Sequence, residues 1–292
     1  MKAISKQRIV ILFHEYDRHR NPVCYVANDL ARIWREDGHE VIYLYGTDKY
    51  IPADIILVHV NLSVVPDDYI QFAERYPIVL NGHISDIRKS AFSPNLVLSG
   101  HEWNGPVILK SDLNYAGLPE QRQRRTWLER RWTLARRLYD VIARRKRDLA
   151  PFTSPDDYMV FSSYRDIPES LRTNQSIVVE KFLPEMENGL YHTHFYQCLG
   201  NRWLNMRVSS TNPVVKAHNS VSAEDVEPHD QVSVWRKKFG IDYGKIDYLV
   251  IDGEAILLDL NKTIGRTPSY KDEDLLTEER RYLAMGLYDY IQ

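Results

Sequence analysis

Over its first 82 residues the chain alternates short apolar runs with helix-spaced apolar residues, and few folds accept that order. RIVILF (8–13), EVIYLYG (40–46), ADIILVHV (53–60) and PIVLNG (77–82) are too short for helices and read as strands. Between the first two, Val26, Leu30, Ile33 and Trp34 recur on one helical face, with Gly38 as the stop. Pro66-Asp67-Asp68 opens a second helix. Strands this uniformly apolar are covered on both faces, so residues 1–82 are expected to form a small parallel α/β domain. The stretch HEYDRHRNP (14–22) after the first strand contains no G-x-G-x-x-G, which removes the dinucleotide fingerprint. The domain therefore reads as scaffold and substrate wall.

The remaining residues, 83–292, change character. A short polar helix near Ile87-Arg88-Lys89 leads into a strand, GPVILKSD (105–112). The segment 118–150 then carries Leu128, Trp132, Ala135, Tyr139 and Ile142 at helical spacing, with arginines on the other faces. It predicts a long basic amphipathic helix inserted in the second domain. Such a helix can be a solvated lid, a collector of anionic substrate, or a nucleic-acid contact. After Pro151 and Pro155 the chain is rich in β-branched and aromatic residues: YMVFSS (158–163), SIVVEKFL (176–183), LYHTHFYQCL (190–199) and RWLNMRVSS (202–210). Residues 217–230 are polar and read as a loop, VSVWRKKFG as a short helix, and 273–291 as a closing helix. The fold class is thus α/β followed by α+β.

Composition narrows the partners. A formal net charge of −2 over 292 residues argues against bulk attraction to nucleic acid or membrane. No apolar stretch approaches the roughly 20 residues that a membrane helix needs. The N-terminal apolar run is too short for a signal peptide. Cys24 and Cys198 are the only cysteines, too few for a disulfide framework or a thiolate metal site, which fits a cytoplasmic protein. Nothing fixes the oligomeric state.

The segment KIDYLVIDGEAILLDLNKTIG (245–265) bears most directly on chemistry. Two apolar runs flank an Asp252-Gly253 turn, with Asp247 and Asp259 at their outer ends and Asn261 two residues on. Side chains alternate along a strand, so Asp259 and Asn261 share a face. A two-residue turn pairs residue 247 with 258 and sets the carboxylates on opposite faces; a three-residue loop pairs 247 with 259. The turn signal favours the first, the chemistry the second. Opposed like charges beside apolar strands destabilise a pair, and a divalent cation removes that cost. Two carboxylates and an amide oxygen are hard ligands that suit Mg²⁺ held together with phosphate oxygens. The plain alternative is two solvated strand ends.

The segment FGIDYGKIDYLVIDGEAILLDLNKTIG resembles the final signature of the ATP-grasp superfamily, the carboxylate–amine ligases such as D-alanine–D-alanine ligase. In that signature an Asp, an acidic residue and an Asn two further on bind the Mg²⁺ ions of ATP; Asp247, Asp259 and Asn261 match. The resemblance implies an ATP-grasp fold with an N-terminal pre-ATP-grasp α/β domain. It implies that Lys89 and Lys110, the latter ending PVILK, reach the nucleotide phosphates. It makes SIVVEKFLPE the hinge strand over adenine, with Glu180 accepting from the base through its backbone carbonyl or side chain. The backbone of Lys181, Phe182 and Leu183 would face the base, and Glu185 or Glu187 would hold the ribose. Arg207 in NMRVSS would face the transferred phosphate, and Lys216 in PVVKA would add a phosphate contact. Two features depart from the pattern: Asp259 stands where Glu is usual, and SDLNYAGLPE supplies only Gly117 for the phosphate loop.

The implied activity is an ATP-dependent ligase that activates a carboxylate as acyl-phosphate and joins it to an amine, with ATP and Mg²⁺ as cofactors. The substrate is expected to be a small molecule or peptide, possibly anionic. Arg266, shortly after Asn261, is a fork able to take a substrate carboxylate. A kinase on the same fold and a non-catalytic nucleotide- or nucleic-acid-binding protein are the alternatives. His192 and His194 alternate on one strand face, but with no third ligand they read as sheet-surface histidines.

Overall fold

The computed structural model describes residues 5–19, 24–124, 152, 157–266 and 273–291. The arginine-rich segment 125–150, expected to be helical, lies outside them. The chain forms two compact units: one from 1–61, 65–85 and 184–292, the other from 62–64 and 86–183. The expected second domain is shared between both units, because the C-terminal third builds onto the N-terminal sheet.

In the first unit, β1 (Arg8–Phe13), β2 (Glu40–Tyr45), β3 (Ile55–Val58) and β4 (Ile78–Leu80) form a parallel sheet in the order β2-β1-β3-β4. α1 (Val26–Glu36) buries Val26, Ala27, Leu30, Ala31, Ile33 and Trp34, the stripe that the spacing predicts, and ends at Gly38 with φ of +95°. α2 (Asp67–Ala73) follows Pro66, whose ring suits the start of a helix.

The second unit holds α3 (Lys89–Phe92), β5 (Val107–Ser111), α4 (Leu118–Arg124), β6 (Met159–Phe161), α5 (Glu169–Arg172) and β7 (Ile177–Lys181). Its antiparallel sheet runs β6-β5-β7 over a core of Val97, Val107, Leu109, Ala116, Phe152 and Ile167.

The chain then returns to the first unit with β8 (Glu185–Glu187), β9 (Leu190–Leu199), β10 (Arg202–Ser210), β11 (Ser222–Asp225), α6 (Asp230–Phe239), β12 (Tyr243–Ile251), β13 (Glu254–Asn261) and α7 (Glu273–Ala284). Their antiparallel sheet has the order β11-β10-β9-β12-β13, with β8 on β9. The polar stretch 217–230 is therefore not all loop, since β11 lies in it. Every β11 residue is exposed, so this edge strand lacks the alternation that reveals a half-buried one. Among the described residues no helix is long and apolar enough to cross a membrane.

One asparagine ties the two sheets of the first unit together. Asn81, fully buried at the end of β4, has φ of +60°. Its amide oxygen accepts from the backbone N–H groups of Asp242 (3.1 Å) and Tyr243 (3.0 Å), and its Nδ2 donates to the Tyr243 carbonyl (2.7 Å). Its own N–H donates to Asp242 Oδ2 (2.7 Å). Leu80, Leu199, Tyr243, Ile264, Leu283 and Leu287 close one apolar core around this joint. Asn81→Gly strands two buried donors and is expected to cost about 2–4 kcal/mol. Asn81→Ala adds about 1–2 kcal/mol for the left-handed backbone. Urea denaturation of both variants beside the native protein measures each part; equal stability of all three would refute the joint.

Candidate metal and nucleotide residues

The hairpin resolves the register question with a feature that the sequence reading did not weigh. Asp252 (φ +52°) and Gly253 (φ +82°) make the tight two-residue turn, and Ile251 pairs with Glu254. Pairing continues to Tyr248 opposite Leu257. Then the register shifts, and Asp247 lies opposite Asp259, Ile246 opposite Leu260 and Lys245 opposite Asn261. Leu258 is the extra residue, a β-bulge in β13. The turn is the two-residue form, and the carboxylates still face each other.

Directly opposed residues project from the same face, so Lys245, Asp247, Asp259 and Asn261 share one. Lys245 was absent from the sequence-based set, although its position two residues before Asp247 in a strand makes it legible. Its Nζ lies 3.0 Å from Asp247 Oδ1, with side-chain exposures of 23% and 17%. The same ammonium sits 4.2 Å from the centre of the Phe195 ring. Among the described residues no three His, Cys, Asp or Glu side chains gather as a metal set. A cation at the hairpin would therefore draw on the Asn261 oxygen and on oxygens that its ligand brings. The two opposed carboxylates and the amide fit Mg²⁺ on those terms.

The register also separates residues that the sequence reading grouped. Asp247 pairs with Phe195, and Phe195 with Met206. Arg207 pairs with His194, and Tyr248 also pairs with His194. Arg207 therefore projects from the face opposite Asp247, away from the residues that the sequence reading places with it at the transferred phosphate. It reaches Glu185 through Nε (3.1 Å) and Glu187 through a terminal nitrogen (2.6 Å), with Glu224 at 3.6 Å. Glu185 also accepts from the Val250 N–H (2.7 Å) and contacts His194 Nε2 (3.3 Å). The expected ribose ligands Glu185 and Glu187 thus hold Arg207 on that face instead. α6 covers this side: Trp235 packs edge-on to Tyr248, and Arg236 donates to the Tyr196 hydroxyl. His192 and His194 are buried there rather than at a sheet surface, and His192 pairs with the Ser209 hydroxyl (2.9 Å).

Arg266 sits 3.3 Å from Asp29 of α1. Asp29 also draws Arg280 of α7 (3.8 Å), and Arg280 donates to Gln197 (3.2 Å), the residue opposite Lys245 in the sheet. Arg280, Gln197 and Asp29 were not in the sequence-based set, because three distant segments supply them. Lys262, after Asn261, is fully buried; burial pushes the nearby His59 imidazole down to about 3, and the Lys262 charge adds to that. Lys216 precedes a 3₁₀ turn (Ala217–Asn219), where its N–H donates to Asn219 Oδ1 (2.8 Å).

In the second unit, Lys110 and Glu180 form a buried ion pair, Nζ to Oε2 2.7 Å, on neighbouring strands β5 and β7. Lys89, 1% exposed, is a second ammonium near Glu180. Burial pulls the Glu180 carboxyl upward. The Lys110 charge, hydrogen bonds from Lys110 and Ser93, and the Lys89 charge outweigh it and hold the group below its ordinary range. The Glu180 side chain is thus committed to Lys110 rather than open to a base. The Lys181 and Phe182 N–H groups donate to Asn95 (2.8 Å) and Pro106 (2.9 Å) carbonyls, and Lys181 Nζ lies over Trp103 (5.3 Å). These two amides are engaged within the unit. After β5, Tyr115, Ala116 and Gly117 take φ of +50°, +55° and +67° in succession. Only the glycine does so without strain.

Lys110→Met removes the direct ion-pair partner of the buried Glu180, leaving Ser93 and the Lys89 charge, and is expected to destabilise by about 3 kcal/mol. Lys110→Met/Glu180→Gln removes the stranded charge and should recover most of that loss in denaturant melts. A double variant as unstable as the single one would refute the pairing. Burial raises the Glu185 carboxyl too, but hydrogen bonds from His194 and Val250 with the His194 and Arg207 charges bring it below 4.5. A depressed folded value stabilises above the unfolded carboxylate range and is lost as pH falls through the folded value. Thermal melts from pH 7 to 3 should therefore show a stability loss below about pH 4.5 that is shallower in Glu185→Gln.

No protein-family model and no curated protein matches the chain. Several solved structures align over nearly its whole length. D-alanine–D-alanine ligase from Bacillus anthracis complexed with ATP is 10% identical over 98% of this chain and 96% of its own, with a TM-score of 0.51. A RimK domain ATP-grasp protein from Sphaerobacter thermophilus is 10% identical over 97% and 99%, also with a TM-score of 0.51. At that identity the likeness speaks to architecture, and it bears out the fold that the hairpin signature implied: the chain has the ATP-grasp fold, with an N-terminal parallel α/β sheet.

Proposed function

We propose that the protein is an ATP-dependent ligase that activates a carboxylate as an acyl-phosphate and passes the acyl group to an amine. One observation carries the reading. In a chain with the ATP-grasp fold, a β-bulge sets Asp247 opposite Asp259 with Asn261 on the same face. Opposed carboxylates cost stability unless a cation joins them. One structural neighbour bears the name of a ligase and was solved with ATP, and the other bears the name of an ATP-grasp protein.

On this reading Asp247, Asp259 and Asn261 hold Mg²⁺, which would neutralise phosphate charge as the γ-phosphoryl group transfers. The remaining work is positioning and charge. Arg266, beside Asp29, takes a substrate carboxylate or its acyl-phosphate. The attacking carboxylate oxygen bonds to the γ-phosphorus as ADP leaves. The amine nitrogen then bonds to the acyl carbon, and inorganic phosphate departs. No side-chain nucleophile is needed. Arg207 is a sheet-stabilising residue in this scheme, since its face carries none of the metal ligands.

Thermal melts with Mg-ATP test the reading. Ligand at 100 times its dissociation constant adds about 2.7 kcal/mol, a shift of a few degrees for a chain of this size. The native protein is expected to shift and Asp259→Ala/Asn261→Ala not to. Product analysis with candidate acids and amines then separates activities. Phosphate released only when both substrates are present marks a ligase; phosphate retained on a substrate marks a kinase. Equal shifts in native and variant protein would move the nucleotide away from the hairpin.

A further inference from the structure

We propose that the second unit carries an accessory binding site for a single-ring aromatic carboxylate, in a cleft lined by Trp103, Tyr164 and Arg165. The proposal stands apart from the hairpin reading and uses none of its residues.

The cleft has a volume of about 200 Å³, and Gly100, Asn104 and Ser163 complete its lining. Drug-sized ligands fill sites of roughly 300–1,000 Å³, so this one suits a single ring with a small substituent and is too small for a nucleotide. Strand register places it. Val107 pairs with Lys181 and Ile108 with Glu180, so Lys181 and Glu180 project from opposite faces of the β5–β7 pair. Lys181 Nζ lies 5.3 Å from the centre of the Trp103 ring, and Trp103 and Tyr164 both pack on the core that contains Val107 and Leu109. The cleft therefore belongs to the side of this sheet away from the buried Lys110–Glu180 pair.

Local bonds build its walls. The Leu98 N–H donates to the Glu102 carboxylate (2.9 Å), the Glu102 N–H to the Ser99 carbonyl (3.3 Å) and the Trp103 indole to the Pro106 carbonyl (2.8 Å), which fixes the loop carrying Trp103. The Ser163 hydroxyl donates to Asp166 (2.9 Å) in the 3₁₀ turn (Tyr164–Asp166) that presents Tyr164. Two glycines let the rings come close to the backbone. A Cβ at Gly105 would stand 2.5 Å from Trp103 Cζ2, and one at Gly100 would stand 3.0 Å from Tyr164 Cδ1. Rings already held in place lose little freedom when a ligand ring packs against them.

The polar groups select the ligand. Among the described residues no carboxylate lies within ion-pair distance of Arg165, and neither the Asn104 amide nor the Tyr164 hydroxyl has a hydrogen-bond partner. The carboxylates of the two flanking turns, Glu102 and Asp166, accept from the Leu98 N–H and the Ser163 hydroxyl. A guanidinium matches a carboxylate as a two-pronged donor. The amide and the phenol hydroxyl can serve a carboxylate oxygen or a ring substituent. An aromatic carboxylate uses all of these groups at once. A free acid and the C-terminal aromatic residue of a peptide share that chemistry.

The test follows the indole N–H peaks of isotope-labelled protein by NMR. Benzoate, benzyl alcohol and N-acetylphenylalanine are titrated to about 10 mM, since probes this small bind near millimolar. Trp103→Phe identifies the Trp103 peak. Benzoate is expected to move that peak, and Arg165→Gln to weaken benzoate about tenfold. Arg165 is exposed, so its variant keeps the fold. Benzyl alcohol should bind more weakly than benzoate and respond equally in native protein and Arg165→Gln. N-acetylphenylalanine tighter than benzoate would assign the site to a peptide C-terminus, and the reverse order to a free acid. A Trp103 peak that benzoate leaves unmoved would overturn the site. Benzoate affinity unchanged in Arg165→Gln, or benzyl alcohol binding as tightly as benzoate, would overturn the carboxylate assignment.

Discussion

One extra residue in one strand decides which side chains of the hairpin share a face. Without the bulge at Leu258, the tight Asp252-Gly253 turn would pair Asp247 with Leu258 and turn the two carboxylates to opposite faces. With it, they oppose each other. A bulge forfeits regular pairing and twists the strand locally, and opposed carboxylates add repulsion. Neither cost has a return in stability. On the proposed function a bound cation offsets both, and within the fold Lys245 offsets part of the repulsion through its ion pair with Asp247.

The hairpin depends in turn on the joint beneath it. β12 starts at Tyr243, and Asn81 grips the backbone of Asp242 and Tyr243 from the end of β4. This contact couples a parallel sheet from the first quarter of the chain to an antiparallel sheet from its last third. It also explains why the C-terminal segment shares a core with residues 1–61 and 65–85 instead of forming a separate domain with 86–183. A single αL asparagine with four hydrogen bonds can do this only in a buried place, where its amide has no water to compete for.

Much of this was legible in the sequence. The four parallel strands, the stripe of α1 and the Asp-Gly turn follow from short-range pattern, because each is decided within a few residues. The candidate ligands Asp247, Asp259 and Asn261 were legible as chemistry, yet their mutual placement was not. The turn specifies the first pairs of a hairpin and says nothing of a bulge four pairs away. The face of Arg207 was illegible for a related reason: it depends on how three strands register, and a shift of one residue reverses it. Lys110 looked like a phosphate contact and Glu180 like an adenine contact. Neither segment alone reveals that their side chains meet, because β5 and β7 are joined through about 65 intervening residues. β11 escaped notice because an edge strand exposed on every residue carries no apolar signal.

The corrected placement leaves two charged groups of opposite sense. Lys89, Lys110 and Glu180 in one unit sum to one positive charge, from two ammoniums and one carboxylate. Lys245, Asp247 and Asp259 in the other sum to one negative charge. Each set is partly neutralised from within, which is what lets charged side chains sit buried or half-buried before a ligand binds. Full neutralisation would leave no electrostatic reason to bind anything, and none would make the empty fold unstable. Arg207 illustrates the contrast: held by Glu185 and Glu187, with Glu224 nearby, its charge is satisfied by protein groups. A cation held in this way stabilises a sheet, and this separates Arg207 from the charges that the proposed function assigns to ligand binding.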